Sequence, residues 1–262
     1  MQDKYGDIEV TFLDGHVAQC EFKRPPNNFF DYQLIKDLAD CFDDLDENPD
    51  CRAILLCAEG KHFCAGANFS KDGGRDSMPQ DSDAPNPLYT EAVRLFSNKK
   101  PVIAAVQGAA VGGGLGVAVM ADFRVVCENT RMTANFVKLG FTPGFGLTHT
   151  LPRLIGQQKA NLLFMTGRRI DGKTAFEWGM ADVFATPETV RQEALALARE
   201  IAVNAPLALV SLRQQMRPDL ADAVKRTTDI EGKEQSWLQK TNDHKEGIKA
   251  VGERRAGSFT GK

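Results

Sequence analysis

Hydrophobic positions change their period several times along the chain. Over residues 8–22 they alternate loosely, with Ile8, Val10 and Phe12 and then Val17, Cys20 and Phe22 on either side of Asp14-Gly15. That pattern predicts a two-stranded hairpin. Arg24-Pro25-Pro26-Asn27-Asn28 breaks it. After Asp31, a residue type that caps helices, Leu34, Leu38, Cys41 and Leu45 recur at helical spacing, and Ile35 and Phe42 widen the stripe. Asn48-Pro49 stops that helix, and Ala53 to Ala58 is a continuous apolar run, the mark of a strand covered on both faces. Residues 70–87 are polar, with glycines and prolines, and read as a loop or surface lid; 88–98 return to helical spacing.

From Pro101 to Asp122 (PVIAAVQGAAVGGGLGVAVMAD) the chain carries no charge before its last residue. We read a buried strand at Val102–Val106, a glycine turn and an apolar helix starting near Gly114. Phe123 to Cys127 is a further strand, and Leu139 to Gly146 a glycine/proline loop. Leu147–Ile155 and Gln158–Met165 are helical runs closed by Gly156 and Gly167, and Asp171 caps 172–178. Thr186-Pro187-Glu188 predicts a cap and first-turn proline before a helix reaching about Val203. From Pro206 onward the pattern is helical and amphipathic. The expected division is an α/β core over 1–200 and a helical region over 201–262.

Composition narrows the function classes. The chain has 262 residues, 42% hydrophobic and 26% charged, with a net charge of -3. One large domain, or a main domain with an appendage, fits that length. Such a balance gives no field to attract nucleic acid or acidic membranes, so neither is expected as a partner. Phosphate binding would have to come from local pairs such as Lys99-Lys100, Arg168-Arg169 or Arg254-Arg255. The uncharged stretch is about as long as a membrane span, but it holds five glycines and Gln107, and mean hydropathy is -0.30. Six cysteines without a C-x-x-C pair and four histidines without H-E-x-x-H indicate no metal site. The N-terminal MQDKYGDIEV carries charges where a signal peptide needs an apolar core. A reducing cytoplasm with free, buried thiols is the expected setting.

The chemistry is expected at two small-residue loops. A glycine turn entering a helix presents unpaired N–H groups at the positive end of the helix dipole, with no side chain to hold a ligand off. Close packing of helix on strand is the plainer use of Gly112, Gly113 and Gly114. A nucleotide loop is excluded: the dinucleotide spacing would need glycine at Val117, and no Gly-Lys-Ser/Thr follows. The second loop, Ala65-Gly66-Ala67-Asn68, follows the other buried strand, about 46 residues earlier. Together they offer two N–H groups to one carbonyl oxygen gaining charge.

With these loops the chain resembles the crotonase (enoyl-CoA hydratase/isomerase) superfamily. The similar segments are RPPNN (Arg24–Asn28), HFCAGANF (His62–Phe69), KPVIAAVQGAAVGGG (Lys100–Gly114), GFTPGFG (Gly140–Gly146), LPRLIG (Leu151–Gly156), TGRRI (Thr166–Ile170) and EGIKAVGERR (Glu246–Arg255). The resemblance implies a spiral of ββα turns with a helical C-terminal trimerisation region, a homotrimer or dimer of trimers, and an acyl-CoA thioester as substrate. No separate cofactor is implied, since coenzyme A arrives with the substrate. It implies that Ala67 and Gly113 donate the two N–H bonds to the thioester oxygen. Pro26, Asn28, Ala65, Gly66, Asn68, Gly112, Gly116, Asn135, Phe136 and Gly144 are the remaining pocket positions. Arg254 and Trp237 would reach the CoA of a neighbouring subunit.

The chain departs from that pattern at the chemistry. The family's two hydratase glutamates align with Gly116 and Phe136, and a dehalogenase nucleophile would fall near Gly144; none of these can transfer a proton. Candidate replacements are Asp72, Arg75, Asp76, Asp81, Asp83, Tyr89, Asn135, His149 and Cys64, each with a structural alternative as a solvated-loop or packing residue. Phe136 points to an apolar acyl pocket for a cyclic or aromatic group. The rival readings are another enolate reaction of the scaffold, such as decarboxylation or C–C hydrolysis, and an acyl-CoA-binding protein that has lost its chemistry.

Overall fold

The computed structural model describes residues 2–68 and 86–262. A short strand β1 (Lys4–Tyr5) leads into the hairpin, in which β2 (Ile8–Leu13) and β3 (Val17–Phe22) pair antiparallel from Ile8–Phe22 to Leu13–Val17. Asp31 accepts the Leu34 N–H at 2.9 Å and so starts α1 (Tyr32–Glu47) where the sequence placed it. β4 (Ala53–Ala58) then runs parallel to β3.

From here each turn of the chain repeats a device. A long strand joins the main sheet, a short segment joins a second sheet, and a helix follows. β4 is followed by a bridge from Cys64 to Ala110 and later by α2 (Pro87–Ser97). β5 (Val102–Val106) is followed by β6 (Ala109–Val111) and α3 (Gly113–Met120). β7 (Phe123–Cys127) is followed by β8 (Arg131–Thr133), a 3-10 turn at Asn135–Leu139 and α4 (Leu147–Ile155). α5 (Gln157–Thr166), β9 (Arg169–Asp171), α6 (Gly172–Glu177), β10 (Val183–Ala185) and α7 (Val190–Ala202) complete the core. The main sheet has the order β1-β2-β3-β4-β5-β7-β10, parallel from β3 onward, and the second sheet the order β6-β8-β9. This is the ββα spiral. The uncharged stretch folds as strand, strand and helix, and among the described residues no single helix is long and apolar enough to cross a membrane.

The continuous apolar runs follow from burial on both faces of the main sheet. Ile54, Leu56 and Ala58 face a core shared with α1, α2 and α3, whereas Ala53, Leu55 and Cys57 face Val190, Ala194, Ala198 and Ala202 of α7. All six cysteines are buried and free. The α7 start corrects the sequence expectation. The Thr186 carbonyl accepts from Thr189 and Val190, and the two threonine hydroxyls lie 3.1 Å apart, closing a turn with Pro187 at its second position. The helix therefore begins at Val190, capped by the Thr189 backbone, and not at Pro187.

Three helices, α8 (Pro206–Met216), α9 (Leu220–Leu238) and α10 (Asn242–Gly252), form the last part. Asp122 fastens α8 to the sheet. It accepts from Val102 N at 2.8 Å, from Arg213 Nε at 2.8 Å and from Arg217 at 2.9 Å. All three side chains are largely buried, and burial holds the Arg217 guanidinium down to about 10. Removing one member of such a cluster leaves charges buried without a partner. Asp122→Ala is expected to lower the unfolding free energy by about 3 kcal/mol in a denaturant titration, more than removal of the exposed Lys225–Asp229 pair, for which less than about 1 kcal/mol is expected.

Candidate functional site

The two small-residue loops are laced to each other by backbone. Phe63 N bonds to Gln107 O, Cys64 N to Ala109 O and Val111 N to Cys64 O, at 2.9, 2.9 and 3.0 Å, so the loop after β4 adds itself to the edge of β6. The approach is closer than side chains allow. A Cβ on Gly66 would lie 2.8 Å from Val111 O, and one on Gly114 would lie 2.3 Å from Cys64 O. Glycine is needed at both points because neighbouring backbone fills the space.

This lacing brings Ala65, Gly66, Ala67, Gly112 and Gly113 to the wall of one cavity of about 810 Å³. Among the described residues neither the Ala67 N–H nor the Gly113 N–H has an acceptor. Gly113 is the first residue of α3, whose turn has no side-chain cap, so its N–H lies at the positive end of that helix. Two uncommitted donors on one wall, in a pocket lined by Phe30, Phe136, Phe141 and Phe145, suit an oxygen that gains negative charge during a reaction.

The charge of the lining is one-sided. Lys61, Arg131, Arg169 and Arg254 line the cavity, and among its described lining residues there is no aspartate or glutamate, although the chain has 35 acidic against 32 basic residues. Among the described residues Arg131 bonds to the carbonyls of Glu128 and Thr130 alone. His62 accepts from Ala109 N at 3.0 Å through Nδ1, which places its proton on Nε2. Burial, and then Lys61 and Arg169, lower its pKa, so it is neutral near pH 7.

At the two positions aligned with hydratase glutamates the space is apolar. A Cβ on Gly116 would lie 2.6 Å from the Phe145 ring, so Phe145 occupies the volume that a side chain there would need. Phe136 lines the cavity, with its ring edge-on to Phe141 at 5.7 Å. Gly144 lies against Tyr89: a Cβ there would sit 1.8 Å from the phenol oxygen. Tyr89 donates to Gln235 Oε1 at 2.7 Å, and Gln235 Nε2 donates to Thr142 O at 2.8 Å. Below this pair Glu231 receives Gly146 N, Thr148 N and the Thr148 hydroxyl at 2.6–3.0 Å, holding the first turn of α4. Burial outweighs those bonds and raises its carboxyl to about 7.

The remaining expected residues lie elsewhere. Asn28 is fully buried, receives Arg24 N and donates to Glu59 O and His62 O; it shapes the loop and does not line the cavity. Pro26 accepts from His62 N, and neither it, Asn68 nor Gly116 is a lining residue. Asn135 lines the cavity beside Gly112. Arg254 lines the cavity of its own chain, whereas Trp237 is 55% exposed and away from it. His149 is also off the cavity, and burial pushes the Cys64 thiol up to about 12, in keeping with packing. Asp72, Arg75, Asp76, Asp81 and Asp83 lie outside the described residues. Gln235 and Arg131 were not foreseen, since each reaches the site from an element with no local motif, whereas Arg169 belongs to the Arg168-Arg169 pair and Phe145 to the GFTPGFG segment.

The enoyl-CoA hydratase/isomerase family profile matches residues 13–262. A probable enoyl-CoA hydratase of Bacillus subtilis is 32% identical over 253 residues, covering 95% of this chain and 97% of the relative. The (E)-benzylidenesuccinyl-CoA hydratase of Thauera aromatica is 32% identical over 255 residues, with 95% and 97% covered. Among solved structures, an enoyl-CoA hydratase/isomerase of Pseudoalteromonas atlantica superposes with a TM-score of 0.86 at 25% identity, covering 97% of this chain and 100% of that one.

Two outcomes are expected from this geometry. Gly116→Ala should cost about 2 kcal/mol by overpacking, and a double-mutant cycle with Phe145→Leu should show a favourable coupling above about 0.5 kcal/mol. Glu231 stabilises the fold fully below its unfolded pKa, about 4.3, and that contribution is lost as pH rises through about 7. The difference between wild-type and Glu231→Gln unfolding free energies should therefore change by about 3 kcal/mol between pH 4 and pH 8.

Proposed function

This chain belongs to the enoyl-CoA hydratase/isomerase family, and from that premise we propose that it is an enzyme acting on an acyl-CoA thioester. The observation that carries the reading is the pair of acceptor-free N–H groups, Ala67 and Gly113, on one cavity whose lining has cations and, among the described residues, no carboxylate. The thioester oxygen binds between the two amides. As a proton leaves, or a carbon–carbon bond breaks, at the carbon beside the thioester, charge collects on that oxygen and the fixed dipoles stabilise it more than the ground state. Lys61, Arg169 and Arg254 hold the phosphates, as their lack of acidic partners among the described residues allows.

Proton transfer differs from a two-glutamate hydratase, because Phe145 fills the space at Gly116 and Phe136 occupies the other position. The reading is therefore an enolate-forming reaction in which substrate groups or residues of 69–85 carry the proton. The same two positions favour the second reading, an acyl-CoA-binding protein without turnover. The exposed Val203, Leu207, Leu212, Met216 and Ile230 offer an apolar face for a homotrimer or dimer of trimers.

A panel of enoyl-, hydroxyacyl- and malonyl-type CoA thioesters tests the proposal by turnover and by calorimetric binding. Binding should weaken as salt rises, because the phosphates meet cations. Ala67→Pro, which deletes one N–H, should reduce kcat on a turned-over substrate by about 10²–10³-fold while circular dichroism stays unchanged. Tight binding with no turnover across the panel favours the binding protein, and no binding overturns both readings.

A further inference from the structure

We propose that Tyr89 and Gln235 form a polar subsite for a hydroxyl group on the acyl chain; this rests on the acyl-CoA reading above. The region around them is apolar, with Phe30, Leu88, Phe136, Leu139, Phe141 and Phe145 lining the same cavity. Two polar side chains set among such residues carry a cost unless a partner meets them.

Their hydrogen atoms are fixed by one carbonyl. Thr142 O can only accept, so Gln235 must turn Nε2 toward it and Oε1 toward Tyr89. The Tyr89 hydroxyl then donates to Oε1, and its oxygen, which the Phe145 backbone N–H also approaches, keeps a second lone pair for a ligand. Gln235 uses one Nε2 hydrogen on Thr142 and, among the described residues, retains a second. The pair thus presents an acceptor and a donor side by side. Burial, followed by the nearby Glu231 charge, raises the Tyr89 pKa, so the phenol stays neutral and keeps this arrangement.

Gly144 is what leaves the pair room. A Cβ there would lie 1.8 Å from the Tyr89 oxygen and 2.8 Å from Gln235 Nε2, so any larger residue would displace both. A ligand carbonyl satisfies only the N–H, and a hydrocarbon satisfies neither group. A hydroxyl both donates and accepts, and it meets the two together. Sites built to bond a hydroxyl reject the analogue lacking it far more strongly than apolar pockets reject a missing methylene.

Equilibrium dissociation constants of butyryl-CoA and of 2-, 3- and 4-hydroxybutyryl-CoA, measured by calorimetry, test the proposal. At least one positional isomer should bind about tenfold more tightly than butyryl-CoA. That advantage should vanish in Tyr89→Phe and in Gln235→Leu, while butyryl-CoA binds both variants within about twofold of wild type, which also shows that they fold. Equal affinity of wild-type protein for all four esters, or an advantage that survives both substitutions, would overturn the subsite and leave the acyl-CoA reading standing. Failure of every ester, butyryl-CoA included, to bind wild-type protein would remove that reading and the subsite with it.

Discussion

The site depends on one stretch of backbone pairing: Cys64 joined to Ala109 and Val111 at the edge of the small sheet. Everything that converges on the cavity is referred to that edge. It holds the loop after β4 against the start of α3, and it does so with main-chain groups that only a proline substitution would remove. Glycines at 66 and 114 let the two backbones touch. Donors held this way are fixed in direction, as stabilising a developing charge without reorganisation requires.

Around that edge the protein sorts its charges. Acidic residues are spent elsewhere: Asp122 on α8, Glu21 on Lys23 and Arg191, and Asp40 with Asp43 on Arg94. Glu231 is turned toward the first turn of α4 and is not a lining residue of the cavity. Among the described residues the cations at the cavity have no such partners. The described lining therefore combines cations, no carboxylate, apolar rings and two amide donors in one cavity.

Much of this was legible in the chain because the long elements have strong periods. The hairpin, α1, β4, β5 and the helices after Pro206 follow from alternation, helical stripes and continuous apolar runs. β1, β6, β8, β9 and β10 were missed because two or three residues are too few to show a period, and they are fixed by neighbours far away in sequence. That Ala67 and Gly113 lie on the cavity wall was legible because small residues after buried strands leave a visible gap in side-chain volume. Gln235 was not, since it meets Tyr89 across 146 residues on the face of an otherwise charged helix. Asn28 shows the opposite case: its place in a motif suggested a ligand contact, yet its amide is consumed in holding Glu59 and His62.

The Phe145 ring pressed into the space beside Gly116 bears on how this pocket can change over time. The two positions behave as a single lock, in which neither can be exchanged freely while the other stands. A lineage regaining an acid at 116 would have to shrink the ring first and survive a hollowed chamber in between. A lineage moving the other way would lose the acid before the ring could settle. History, in this pocket, runs through a narrow order of steps.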